Sequence, residues 1–104
     1  MSRLSGDLRQ ATKRYASGII PFYVKLPKQR KEVDVPGNQL LRLGTSVAAH
    51  AHEASCVRSD AEFCTNLDGL LQEADKSALW LELLRDDCGV RDKKMTGYIR
   101  KPVS

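Results

Sequence analysis

The stretch from Gln39 to Gly89 constrains the fold more than any other part of this 104-residue chain. Two helical patterns meet there, at Glu53-Ala54-Ser55-Cys56-Val57-Arg58-Ser59-Asp60-Ala61-Glu62-Phe63. The pattern before the junction is rich in small residues, and the one after it is long and leucine-rich. Ser59-Asp60-Ala61-Glu62 reads as a capping box: the Ser59 hydroxyl can accept from the Glu62 N–H, and the Glu62 carboxylate can reach back to the Ser59 N–H. Asp60 and Glu62 also complement the positive end of a helix dipole. A long helix is therefore expected to start at residue 59 and run to about residue 88, with Gly89 placed to end it in a left-handed conformation. Its seam is Phe63, Leu67, Leu70, Ala74, Ser77, Leu81, Leu84 and Cys88. This four-three alternation packs at the shallow angles of a bundle. Leu71, Leu79, Trp80 and Leu83 widen the apolar surface beyond the seam. A helix apolar on several sides needs a further helix or another subunit to cover it, which makes Leu79, Trp80 and Leu83 candidate oligomer contacts.

Upstream, Leu4, Leu8, Ala11, Tyr15, Ile19 and Phe22 step by fours and threes, the period of a helix from about residue 5 to residue 25. Gly18 weakens its interior and Pro21 is expected to kink it. Leu26-Pro27 should end it, because a residue before proline is pushed out of the helical region. Pro36 suits the first turn of the next helix, which is expected over 36–55 with Asp34 as the better capping residue. Its stripe is Leu40, Gly44, Val47, Ala51 and Ala54. Gly44 costs about 1 kcal/mol in helix propensity, and close packing across Gly44 and Ala48 is the expected compensation. Residues 89–104, broken by Gly97 and Pro102, allow a short turn but not a full fourth helix. The fold expected for residues 1–104 is thus one all-α domain, an antiparallel up-and-down helix bundle whose fourth helix is short or missing.

No apolar run approaches the roughly 20 residues needed to span a bilayer, and Met1 to Gly6 lack the apolar core of a signal peptide. A cytoplasmic protein without membrane contact is expected. The three cysteines, Cys56, Cys64 and Cys88, contain no Cys-x-x-Cys pair and fit a reducing compartment. The net charge is only +4, but its distribution is uneven. Residues 1–31 hold eight basic side chains and one acid, residues 53–87 hold three basic side chains and nine acids, and residues 88–104 are basic again. Such a division suits either pairing between helices or subunits, or a basic surface for an acidic partner such as RNA or DNA. The candidate phosphate-contacting set is Arg9, Lys13, Arg14, Lys25, Lys28, Arg30 and Lys31. Clustered cations are all that such contacts require.

The constellations that would carry catalysis are incomplete. His52 and Cys56 lie four apart, as do a helical ligand pair, but zinc takes three or four protein ligands. His50 and His52 point in nearly opposite directions on a helix and cannot chelate together. A Cys56–His52 nucleophile pair lacks an orienting third group and an oxyanion-binding loop. The acids of the long helix, Asp68, Glu73, Asp75, Glu82, Asp86 and Asp87, lack the Glu-x-x-His partner of carboxylate metal centres in bundles. They read as a solvated or subunit-facing side. No glycine-rich phosphate loop is present. The chain is expected to be no enzyme and to use no metal or cofactor.

As an ordered set, Asn38-Gln39-Leu40-Leu41-Arg42-Leu43-Gly44-Thr45-Ser46-Val47-Ala48-Ala49, Glu53-Ala54, Ser59-x-Ala61-Glu62-Phe63, Leu70-x-Gln72-Glu73-Ala74-Asp75 and Trp80-Leu81-Glu82-Leu83-Leu84 resemble a bacterial four-helix-bundle family. That family was first noticed in intervening sequences of large-subunit ribosomal RNA genes. Ile19-Ile20 and Leu26-Pro27-Lys28 fit its first helix and loop, so the resemblance spans roughly residues 15 to 90. It implies an antiparallel bundle assembled as a homo-oligomer, most often a pentamer. It also implies similarity to the accessory protein of diversity-generating retroelements, which binds nucleic acid beside a reverse transcriptase. No catalytic residues come with it. The chain departs from the family pattern at His50, where Asn is common, at Pro21, and in the shortened final segment. The function expected is a nucleic-acid-binding accessory or adaptor factor. The alternative is a structural or protein-interaction module that ignores nucleic acid.

Overall fold

A computed structural model of the chain describes residues 3–56 and 59–92, with side chains from residue 6 onward in the first helix. Three helices, α1 (Arg3–Lys25), α2 (Lys31–Ala54) and α3 (Asp60–Asp86), form an antiparallel all-α bundle. Beyond Asp92, the segment expected to supply a short fourth element lies outside the described residues. Among the described residues, no helix is long and apolar enough to cross a membrane.

The stripe of α1 is buried as its period requires, with Tyr15, Ile19, Phe22 and Leu26 facing the core. Thr12 is buried beside them and donates its hydroxyl to the Leu8 carbonyl at 2.8 Å. The helix passes through Gly18 and Pro21 as one element. Pro21 and Ser17, whose carbonyl would otherwise receive the missing N–H, both lie on the exposed side. Water can satisfy that carbonyl there, so the proline does not end the helix. The end falls at Lys25, before Leu26-Pro27. Lys28 closes it by donating its Nζ to the Leu26 carbonyl at 2.9 Å and to the Tyr23 carbonyl.

α2 starts five residues earlier than its proline suggests. The N-cap is Arg30, which makes no side-chain cap, and Asp34 lies inside the first turn rather than before it. Two features support the early start. Val33 is fully buried and anchors the first turn in the core. Glu32 and Asp34 stand at the positive end of the helix dipole. Pro36 therefore occupies the helix interior, buried, and the Glu32 carbonyl loses its i+4 donor. The Cys88 thiol fills that vacancy, donating to the Glu32 carbonyl at 3.1 Å. The adjacent Arg30 guanidinium donates to the Cys88 carbonyl at 3.1 Å, so the end of α3 is tied to the start of α2 twice.

α3 begins where the capping box places it. Ser59 is extended (φ −138°, ψ 158°) and its hydroxyl accepts from the Glu62 N–H at 3.2 Å. Phe63, Leu70, Ala74, Ser77, Leu81 and Leu84 of the seam are buried, while Leu67 and Cys88 are half-buried. Gly89 adopts the left-handed conformation (φ 73°), which turns the Val90 N–H back onto the Leu84 carbonyl at 2.9 Å.

α2 is the central element, packed against both α1 and α3; α1 and α3 make no close backbone approach. Two glycines on one face of α2 take knobs from α1 and from the residue that follows it. A Cβ at Gly44 would stand 2.5 Å from Ile19 Cδ1, and one at Gly37 would stand 2.7 Å from Leu26 Cδ1. The close packing expected at Gly44 is thus a side chain seated in a hole, and Gly37 is a second hole of the same kind. Across the core, α1 and α3 meet through Tyr15 and Ser77, whose oxygens lie 2.6 Å apart. Ser77 gives its one proton to the Ala74 carbonyl at 2.8 Å, so Tyr15 is the donor in that pair.

Candidate functional site

The antiparallel hairpin brings the first half of α1 against the last half of α2. Arg9 and Lys13 are one turn apart on α1, and there they flank a surface pocket of about 460 Å³. Gln10, Ala48, Ala49 and His52 complete its lining. Arg9 and Lys13 share a side of α1 at i, i+4 spacing. Ala48 and Ala49 keep the wall of α2 low, and His52 brings a titratable ring from one turn further along. No acidic side chain lines this pocket. It offers two guanidinium or ammonium heads and an imidazole to an anion of phosphate size.

The seven cations singled out from the sequence do not form one cluster. From Arg9 to Lys25 is 16 helical steps, about 24 Å. Lys25, Lys28, Arg30 and Lys31 sit around the loop at the far end of α1. Two of them are engaged in the fold. Lys28 caps α1 and also lies over the Tyr23 ring, 4.2 Å from its centroid. Arg30 pairs with Glu32 at 2.8 Å besides holding the Cys88 carbonyl. The Arg30 guanidinium holds the Glu32 carboxyl below its ordinary range. Lys25 and Lys31 are exposed, as is Arg14, which lies about 100° around α1 from Lys13.

His52 lies in the last turn of α2, and Cys56 lies beyond the end of that helix. α2 ends at Ala54, and Cys56 lies in the following turn, with its Sγ 3.8 Å from Ser55 Oγ. His50 faces α3 instead. Its Nδ1 contacts Glu73 Oε1, while Ser46 donates to Glu73 Oε2 at 3.0 Å. Glu73 Oε1 is buried, and His50 is the neighbour that can reach it. Glu73 is thus no part of a solvated or subunit-facing acidic side: its side chain is only 22% exposed and bridges two helices. Its place next to the seam residue Ala74 is the only sign of this in the sequence.

The three candidate oligomer contacts also separate. Leu79 is 49% exposed. Trp80 and Leu83 are half-buried, and Trp80 packs against the core cluster that contains Leu40 and Leu81. Leu71, 46% exposed, joins Leu79 as free apolar surface of α3. No family model, no curated protein and no solved structure matches the chain.

Proposed function

We propose that this chain is a non-catalytic helical-bundle protein that binds RNA or DNA as an accessory factor and assembles with copies of itself. The pocket between α1 and α2 carries the reading: Arg9, Lys13 and His52 converge on it with no acid among its lining residues. Phosphate contacts from such a cluster are independent of base sequence and strongly dependent on salt. The family resemblance of residues 15 to 90 supports the same role, with a larger enzyme such as a reverse transcriptase as partner and a pentamer as the assembly. It also supports a fourth bundle position, filled by a short element or by a neighbouring copy. The lack of backbone approach between α1 and α3 fits a diagonal relation of that kind.

The test is fluorescence anisotropy with mixed-sequence RNA and DNA oligonucleotides across a salt series. Arg9→Gln with Lys13→Gln should weaken binding and reduce the slope of log affinity against log salt by about 2 on duplex DNA. Lys25→Gln with Lys31→Gln should have the smaller effect. No binding at low salt, or unchanged binding by the Arg9/Lys13 variant, would refute the reading. The second reading, an interaction module indifferent to nucleic acid, is favoured by the exposed Leu71 and Leu79 on an acidic helix. It predicts that salt loosens self-association while oligonucleotides go unbound.

A further inference from the structure

Two exposed helix faces have no partner among the described residues, and they are complementary in charge. On α1, Ile20 is 47% exposed and Val24 70% exposed. At 100° per residue they share with Lys13 a stripe about 40° wide. The helix around them is basic; the only acid in α1 is Asp7. On α3, Leu71 and Leu79 are two turns apart with Asp75 between them. Asp68 and Glu82 fall within the same arc, about 80° wide, and all five side chains are exposed. Each face therefore has two aliphatic side chains that a partner would dehydrate, with Lys13 on the α1 stripe and Asp68, Asp75 and Glu82 on the α3 arc. The charge is positive on α1 and negative on α3.

The two faces cannot meet within one molecule, because both helices turn these residues to solvent and make no close backbone approach to one another. They can meet between molecules. We infer that the Ile20/Val24 face of α1 docks on the Leu71/Leu79 face of α3 of a second copy of this chain. The occupant is a second copy because one chain carries both halves of the match: apolar pair against apolar pair, cations against acids. Burying the aliphatic pairs supplies the attraction. The surrounding charges fix which faces pair, by making α1 against α1 and α3 against α3 repulsive. Such a contact is heterologous. Every copy that uses its α1 face still offers its α3 face, so association runs on until it closes as a ring.

This inference rests on the self-assembly part of the proposed function and adds the surfaces and the polarity. It is tested with two exposed substitutions of opposite charge, Val24→Glu and Leu79→Lys, with circular dichroism confirming that each variant keeps its helix content. The association state is measured by sedimentation velocity over a micromolar concentration series. Val24→Glu sets an acid against the acidic α3 face, and Leu79→Lys sets a cation against the basic α1 face. Each alone should weaken self-association by at least about tenfold. Mixed in equal amounts, the two should associate again, because the untouched α1 face of one variant meets the untouched α3 face of the other. The two altered faces are also matched in charge, the introduced acid on α1 against the introduced cation on α3. A wild-type chain that stays monomeric overturns both the inference and the self-assembly on which it rests. A wild-type oligomer that survives both substitutions, responds to one only, or is not restored by mixing overturns the surfaces alone and leaves self-assembly standing.

Discussion

Gly44 offers the sharpest test of how α1 and α2 are held together. A methyl group added there gains about 1 kcal/mol of helix propensity. It also meets Ile19 Cδ1 at 2.5 Å, while the next two atoms of the same side chain stand at ordinary distances of 3.5 and 3.6 Å. The conflict is thus with one terminal methyl of a side chain that is fully buried and has little room to move. Overpacking of this kind costs about 1–3 kcal/mol. Set against the gain in propensity, Gly44→Ala should fall between neutral and about 2 kcal/mol destabilising. Ile19→Val removes Cδ1 and should by itself cost about 0.5–1.5 kcal/mol. In the Ile19→Val background the obstacle is gone, and Gly44→Ala should become stabilising by about 1 kcal/mol. The sign reversal is the signature, and the coupling between the two sites should reach about 1–3 kcal/mol. Urea unfolding of the four proteins at one fixed protein concentration measures it, with the slope of each transition checked for constancy. If Gly44→Ala stabilises the wild-type protein, or destabilises both backgrounds equally, Ile19 does not sit in a hole made by that glycine.

Two further outcomes follow from the polar contacts. Tyr15→Phe removes the buried hydrogen bond to Ser77 but leaves Ser77 donating to the Ala74 carbonyl; for that bond urea unfolding should show a loss of about 0.5–1.5 kcal/mol, and an unchanged midpoint would contradict the link between α1 and α3. At low pH, Glu32 and Asp86 should contribute to acid sensitivity. The Arg30 guanidinium hydrogen-bonded to Glu32, and that of Arg85 hydrogen-bonded to Asp86, hold these carboxyls below their ordinary range in the folded state. The stability they add is therefore present above their unfolded values and is lost as pH falls through the folded ones. Both pairs are exposed, so the effect is small. Glu32→Gln with Asp86→Asn should lower the thermal midpoint slightly at neutral pH and match the wild-type protein near pH 2, and an equal difference at both pH values would refute the assignment.

What the sequence makes legible is periodicity and local capping. The seam of α3 and its Ser59 cap, the core stripes of α1 and α2, and the stop at Gly89 all follow from spacing, because each is decided within a few residues by side-chain direction and orphan backbone groups. The start of α2 is not legible in the same way. Proline in a first turn is the common case, and Pro36 obeys it only if nothing upstream is worth burying. Val33 is, and the carbonyl that Pro36 abandons is served by a thiol 56 residues away. The split of the basic set is likewise hidden. Lys28 and Arg30 carry the same formal charge as Arg9 and Lys13, but only the fold shows that carbonyls and a carboxylate already occupy them.

The same distinction bears on where partners can bind. Charge that closes the fold is not free to recruit a ligand, since exchanging one partner for another gains little net electrostatic energy. At the loop end of the bundle, Lys28 is committed to α1's last turn and Arg30 to the junction of α2 with α3. At the opposite end Arg9 and Lys13 border an open pocket. Along the outer face of α3, from its middle toward the loop end, Asp68, Asp75 and Glu82 lie beside Leu71 and Leu79 without an ion pair among the described residues. Uncommitted charge beside exposed apolar surface is the physical ground for expecting partners at these places. Lys13 belongs both to the pocket and to the α1 face. Nucleic acid in the pocket and a second copy on the face therefore draw on one cation, and Lys13→Gln should weaken both, whereas Val24→Glu should break assembly and spare the pocket's own lining.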